Sequence, residues 1–435
     1  MSWRPAREGG AGVGGGVDRR TVVRSAVALT ATSLLAVGGP GAAQARERDE
    51  AGGRGSGPTR ERARVTPRLP APGGPYPVGV TTLYLVDPDR PDPWEPRIRV
   101  RELMLTVRYP ARPVHGYPVA RQMTEAAAAV FGQLDAAVHR LPASGVNWAA
   151  TRTHAHTDVP ARDVPVPVLL YSPGGGDPRT LGTSLAEDLA GHGAVVVALD
   201  HPGDTSEVEF PVTRPGRPEK VRTTVFRGDP RSDADVFRTV IETRIADLRF
   251  VLGQLAVLAA GGNPDAAGRA LPPGLGRALD LRRVGVYGHS AGGTAAAQAF
   301  HEDRRIRVAV DMEGYLDHPG PEPGRPGELF PVARDGVDRP LLLLGSAGFV
   351  GKGERERSWS VVRARSGGRV RQREVARGAH WVFTDYAAMA PQLAAAGLMS
   401  VADRRALVGP ISPAESLPLV RSWVRSFFAR HLPKE

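Results

Sequence analysis

The stretch Arg283-Val284-Gly285-Val286-Tyr287-Gly288-His289-Ser290-Ala291-Gly292-Gly293-Thr294 decides how this chain folds. Arg283–Tyr287 reads as a buried strand. The Ala-rich run Thr294–Phe300 reads as a helix, and glycines crowd the turn between them. A sharp strand-to-helix turn holds its apical residue in a strained backbone conformation, so small residues must flank it. Gly288 and Gly292 let strand and helix approach closely. The Ser290 hydroxyl then projects at the carboxyl edge of a sheet, over the positive end of a helix. A glycine-rich turn whose serine only caps a helix is the plainer reading. A strand before the motif and a helix behind it count against that reading.

Outward from this turn, short apolar runs alternate with helical patterns. Strands are expected at Val80–Val86, Glu102–Tyr109, Val166–Tyr171, Ala194–Leu199, Arg283–Tyr287, Ile306–Met312, Pro340–Leu344 and Arg369–Val375. Several are β-branched and apolar throughout, as strands covered on both faces must be. Ser232 and Asp235 form a capping-box-like start to a helix. Its apolar positions from Phe237 to Leu258 recur at helical spacing. Val420, Trp423, Val424, Phe427 and Phe428 mark a closing helix. The pattern is α/β: about eight strands, mostly parallel, with helices on both faces. The first two strands are expected to form an antiparallel edge.

In the α/β-hydrolase fold the chain order is serine, acid, histidine. After Ser290 come His301, His318, His380 and His431. His301 lies in the helix behind the turn, His318 in a Pro/Gly loop and His431 at the end of the last helix. His380 follows the last strand across a short turn and is the expected base. The acid should lie at the end of a following strand, where Asp311 and Glu313 share one parity. Alternation leaves both open. Two backbone donors are needed for an oxyanion. Ala291, next to the serine, supplies one. Ser172-Pro173-Gly174-Gly175-Gly176 after the third strand supplies the other. These glycines lack the Lys-Ser/Thr of a phosphate-binding loop.

The formal charge is +11, and the only lysines are Lys220, Lys352 and Lys434. The arginines are scattered rather than blocked, so no nucleic-acid partner is expected. There is no cysteine, which excludes disulfides, a thiol nucleophile and a cysteine-ligated metal. Residues 1–45 read as a signal peptide. Arg19-Arg20 precede an apolar run, and Ala43-Gln44-Ala45 offers a cleavage site. The paired arginines resemble a twin-arginine signal. Residues 46–74, rich in Arg, Gly and Pro, read as a disordered leader. One catalytic domain is expected over residues 75–435.

Taken in order, a set of motifs resembles the α/β-hydrolases related to platelet-activating-factor acetylhydrolase, especially secreted actinobacterial members. It runs from Gly74-Pro75-Tyr76-Pro77-Val78-Gly79-Val80 through Arg101-Glu102-Leu103-Met104 and Tyr109-Pro110-Ala111 to Tyr171-Ser172-Pro173-Gly174. It continues at Asp247-Leu248-Arg249-Phe250-Val251-Leu252 and Gly288-His289-Ser290-Ala291-Gly292-Gly293, and closes at His380-Trp381-Val382-Phe383-Thr384-Asp385. The resemblance implies that Glu313 is the acid, although Asp before Gly is usual there, with Asp311 as the alternative. It assigns the oxyanion donors to the backbone of Gly175 and Ala291. It further implies acyl-ester hydrolysis without metal or organic cofactor, on a small-molecule or lipid ester such as a short sn-2 acyl group of a phospholipid. Transient membrane-surface contact is compatible with it, and no obligate protein partner is implied. Val119–Leu141 is expected to cover the site or contact lipid, with packing on the core as the plainer reading. A broader lipase or polyester hydrolase and a silent hydrolase-like binding protein are the competing expectations.

Overall fold

The computed structural model describes residues 64–322 and 325–433. The expected signal peptide and residues 46–63 of the expected leader lie outside them. Twelve strands are formed among the described residues: β1 (Val78–Asp87), β2 (Arg101–Pro110), β3 (Val119–Arg121), β4 (Arg152–Thr157), β5 (Val166–Ser172), β6 (Val195–Leu199), β7 (Glu207–Glu209), β8 (Val221–Thr223), β9 (Leu279–His289), β10 (Ile306–Met312), β11 (Leu341–Ser346) and β12 (Val370–Val375). Ten make one sheet in the order β12-β11-β10-β9-β5-β6-β2-β1-β4-β3, and β7 and β8 pair separately. From β6 to β12 every neighbouring pair is parallel. β2 runs antiparallel to β6 and to β1. All eight expected strands are therefore present in the large sheet.

The antiparallel β1–β2 pair is not the edge. β4 and β3 lie beyond it. These strands were not expected because they are short and polar: Arg121, Arg152 and His156 take the place of an apolar run. Charged side chains on a short outer strand discourage pairing with a further chain.

Nine helices accompany the strands among the described residues: α1 (Glu125–His139), α2 (Thr183–Gly191), α3 (Ala234–Ala259), α4 (Ala291–Glu302), α5 (Pro331–Asp335), α6 (Lys352–Arg365), α7 (Tyr386–Ala395), α8 (Val401–Val408) and α9 (Pro413–His431). None of them is long and apolar enough to cross a membrane. The two faces of the sheet carry separate cores. Val168 and Leu170 of β5 join α3, α4 and α6 through Leu248, Ala296 and Trp359. Leu169 and Tyr171 point the other way, toward Leu185 of α2 and Val424 and Phe428 of α9. This is why β5 is apolar from Val166 to Tyr171, with Ser172 at its end. The cap of α3 is Asp233, whose carboxylate accepts from Asp235 N at 2.9 Å and Val236 N at 3.0 Å. It stands one residue past the expected Ser232, because the aspartate reaches the free N–H groups of the first turn.

Residues 64–74, expected as leader, are packed. Leu69 is buried, Arg68 exchanges hydrogen bonds with Gln392, and the carbonyls of Pro70 and Ala71 accept from Arg421. The segment lacks periodicity because it lies as an irregular strand of chain along α7 and α9, not as a regular element.

A third apolar cluster joins α1 to α7 and α8. Phe131 is fully buried there between Trp148, at 5.1 Å edge to face, and Tyr386, stacked at 6.3 Å. Val138 on the same helix is 73% exposed. Of the readings of Val119–Leu141, packing on the core holds for the face of α1 that carries Ala128, Phe131, Asp135, Ala136 and His139. Truncating a buried phenylalanine costs about 3–5 kcal/mol. Phe131→Ala should therefore lower the unfolding free energy by that amount in urea titration. An unchanged midpoint would mean that α1 is only a loosely held cover.

Candidate active site

Ser290 stands between β9 and α4 at φ 53° and ψ −124°. Non-glycine residues avoid positive φ, and such a position costs on the order of 1–3 kcal/mol unless its surroundings enforce it. Here they do. A Cβ on Gly288 would collide with the Gly292 carbonyl, and one on Gly292 with the carbonyls of Ser172 and Pro173. The Ser290 N–H donates to the Met312 carbonyl at 2.9 Å, tying the turn to β10. Ser290 and Ala291 are partly exposed, while Gly288, His289 and Gly292 are buried.

His380 opens a short turn, His380–Phe383, after β12. Its Nδ1 lies 3.0 Å from Glu313 Oε2. Its side chain is 14% exposed and that of Glu313 0%, so the ring reaches solvent in part while its partner is wholly buried. Phe349 stacks on the ring at 4.7 Å and 19°. Burial, then the neighbouring His289, pull the His380 pKa below its ordinary value, and Glu313 only partly opposes them. The imidazole is thus neutral at neutral pH. Its own carbonyl bonds to Nε2 of His289, the residue beside Ser290, at 2.9 Å. This carbonyl can only accept, so Nε2 of His289 is the donor. Ser290 Oγ forms no hydrogen bond to the His380 ring among the described residues. Catalytic pairs commonly show such loose spacing before substrate binds.

Asp311 and Glu313 are separated by the backbone. Glu313 has φ +70°, which breaks the alternation after Met312. Asp311 is turned beneath the elbow, accepting from Gly314 N at 2.6 Å. Burial drives its pKa well above the carboxylate range. Glu313 accepts instead from Ser346 N and Oγ and from Arg355 Nη1. The Arg355 guanidinium is fully buried, 4.4 Å from the Trp359 ring. It lies where a Cβ on Gly345 would strike it. Sequence reasoning missed Arg355 and Ser346. Arg355 is one of several charged residues on α6, and nothing in the pattern marks it as the buried one.

The two expected oxyanion donors are neighbours. A Cβ on Gly175 would lie 3.6 Å from that of Ala291. Gly175 is exposed between buried Gly174 and half-buried Gly176. Ala291 begins α4, so its N–H has no partner within the helix. A second serine–histidine–aspartate set lies behind this loop. Ser172 Oγ is 2.9 Å from His201 Nε2, and His201 Nδ1 is 3.0 Å from Asp247 Oδ2. All three are buried from solvent. Burial and the nearby Arg244 push the His201 pKa down to about 4, so this ring is a neutral strut. Asp247 also receives Arg101 through Nε at 3.2 Å and Nη2 at 2.8 Å, which joins two motifs far apart in the chain.

A parallel sheet carrying a strained serine at its carboxyl edge, with a buried histidine–carboxylate pair beside it, defines the α/β-hydrolase fold. The family described as platelet-activating factor acetylhydrolase, isoform II, matches residues 124–398. A probable 1-alkyl-2-acetylglycerophosphocholine esterase of Arthroderma benhamiae is 26% identical over 83% of this chain and 87% of its own. The platelet-activating factor acetylhydrolase of Cavia porcellus is 23% identical over 42% and 40%. A ferulic acid esterase from Streptomyces cinnamoneus, a solved structure, is 32% identical with a TM-score of 0.63, covering 84% of this chain and 93% of its own. The molecule is a carboxylic ester hydrolase of the α/β-hydrolase fold. The chain belongs to the platelet-activating factor acetylhydrolase isoform II family.

Beside this site lies a buried charge cluster that sequence reasoning did not find. His139 Nε2 is 3.4 Å from Asp135 Oδ1 and 3.3 Å from Asp177 Oδ1, while Asp177 Oδ2 faces His289 Nδ1 at 3.5 Å. Asp135, His139 and Asp177 bring three possible metal ligands within 4.8 Å of one another. Burial alone would lower the His139 pKa, but the two carboxylates outweigh it and raise it to about 9. The imidazolium is then the counter-ion of Asp177, whose carboxyl is held below the usual range, while burial pushes that of Asp135 up.

A histidine whose folded pKa stands above its unfolded value near 6.5 adds stability that is complete below pH 6.5. That stability is lost as pH rises through about 9. The denaturant midpoint of the wild type should fall as pH rises across this window, and His139→Gln should flatten the dependence. An identical slope in both proteins would contradict the pairing.

Proposed function

We propose that this chain is an exported serine esterase that hydrolyses acyl esters through a covalent acyl-enzyme on Ser290. The observation that carries the reading is the 3.0 Å contact between His380 Nδ1 and buried Glu313, next to a serine held at positive φ. Ser290 Oγ attacks the acyl carbon, and its proton passes to Nε2 of His380. Glu313 fixes the ring tautomer through Nδ1–H and balances the imidazolium that forms. Asp311 suits that role poorly, since burial favours its neutral form. The N–H groups of Gly175 and Ala291 receive the oxyanion. The His380 proton then goes to the leaving alcohol, and a water activated by the same ring clears the acyl group.

The substrate is a short or compact acyl ester. The relatives bear names for acetyl-phospholipid and ferulic acid ester hydrolysis, and both acyl groups are small. The aromatic wall of Phe349 against His380, with Tyr315 at 5.6 Å from Phe349, favours an aryl acyl ester as the second reading. Export rests on the signal pattern of residues 1–45, and contact with a lipid surface is transient.

A fluorophosphonate should label Ser290. Glu313→Gln should cut turnover by roughly 10³–10⁴-fold, as loss of a triad carboxylate does. Asp311→Asn should leave turnover within an order of magnitude of wild type. The reverse pair of results would refute the assignment. Because the His380 pKa is lowered, kcat/KM should hold as pH falls to the ordinary histidine value near 6.5 and decline only below it. Rates on p-nitrophenyl acetate, a feruloyl ester and a long-chain ester separate the substrate readings.

A further inference from the structure

We propose that Arg244 is the positioning residue of the oxyanion hole: its buried fork holds the Pro173 and Gly174 carbonyls so that the Gly175 N–H faces the oxyanion. The inference rests on the serine esterase reading and goes beyond it.

Arg244 projects from α3 and is fully buried. Its Nη1 donates to the Pro173 carbonyl at 2.5 Å and to Ser172 Oγ at 3.2 Å. Its Nη2 donates to the Gly174 carbonyl at 2.9 Å. Its Nε donates to Asp204 Oδ2 at 2.6 Å, and Asp204 Oδ1 in turn accepts from Gly176 N at 3.0 Å. The loop is thus gripped on both sides of Gly175.

A trans peptide is planar, and its carbonyl and N–H point in opposite directions. The Gly174 carbonyl and the Gly175 N–H belong to one such unit. A carbonyl drawn inward by Arg244 therefore turns that N–H outward, to the side where Ala291 lies. Three glycines in a row have little preference of their own for this orientation, because each tolerates a peptide flip.

The hydrogen bonds around the fork allow one assignment. His201 is neutral and gives its Nδ1–H to Asp247, so its Nε2 accepts the Ser172 hydroxyl proton. Ser172 Oγ is left as an acceptor for Arg244. The buried serine–histidine–aspartate set is thus a brace that fixes the guanidinium in plane. A lysine could not replace Arg244, since a point charge cannot hold two carbonyls and a carboxylate in a fixed plane.

The test uses Arg244→Lys, with Arg217→Lys as its control. Arg217 is equally buried, against Glu102, and touches neither Ser290, His380 nor the glycine loop. Both variants should melt at lower temperature. In Arg244→Lys, kcat on p-nitrophenyl acetate should fall about 10²-fold with KM little changed, the size of a lost oxyanion donor. Affinity for a trifluoromethyl ketone, which forms the same oxyanion on the serine, should fall by a similar factor. The pH midpoint should stay in place, because the Glu313–His380 contact is untouched. Arg217→Lys should keep the wild-type kcat. Wild-type kcat and ketone affinity in folded Arg244→Lys would overturn the proposal and leave Arg244 a structural residue. If the lysine variant fails to fold, Asp204→Asn carries the same test, because it frees the guanidinium at constant shape. It should lower kcat and ketone affinity together, and wild-type values would overturn the proposal. If wild-type Ser290 does not react with a fluorophosphonate, the esterase mechanism itself fails, which is a separate result.

Discussion

The close approach of β9 to α4 is the constraint on which the site depends. Gly288, Gly292 and Gly293 leave no room for a side chain, because the Gly292 carbonyl, the Ser172 carbonyl and the Asp311 carboxyl fill the space. Between them Ser290 has no relaxed conformation open to it and sits at positive φ. The same packing sets the first turn of α4 against the loop after β5. Two backbone donors thereby come together from segments more than a hundred residues apart. The strain at Ser290 persists because two cores, one on each face of the sheet, hold its strand and helix in place.

Behind the exposed face stands a layer of buried ions. Arg355 braces Glu313, Arg244 braces the glycine loop with Asp204, and Arg101 braces Asp247. Replacing such pairs with apolar groups is often neutral or stabilising, so stability does not explain them. Their common feature is position. Arg355 and Arg244 each end on a group that the proposed chemistry uses, and a planar guanidinium fixes geometry more tightly than van der Waals contact does. The proposed reacting face carries little charge: a neutral histidine, a hydroxyl and two N–H groups.

Much of this was legible in the sequence, for definite reasons. The eight apolar strands were visible because burial on both faces leaves continuous hydrophobic runs. The elbow was visible because its steric demands fall on adjacent residues. The place of His380 after the last strand was visible too, and its role as base belongs to the proposal. What stayed hidden involved partners distant in the chain. Alternation could not separate Asp311 from Glu313, because a single positive φ at Glu313 breaks it. Arg244 and Arg355 look like any other arginine in an arginine-rich chain, since burial is not a local property. β3 and β4 were missed because polar outer strands lack an apolar run. Residues 64–74 have no period to detect, although Leu69 is buried.

The central claim is a covalent acyl-enzyme on Ser290. Its most direct test is rapid quenching in acid during turnover of a p-nitrophenyl acyl ester, followed by mass spectrometry of the digested chain. A burst of p-nitrophenol is expected, with one acyl group on the peptide that contains Ser290, and neither is expected in Ser290→Ala. An acyl group on another residue, or steady hydrolysis by Ser290→Ala at the wild-type rate, would contradict it.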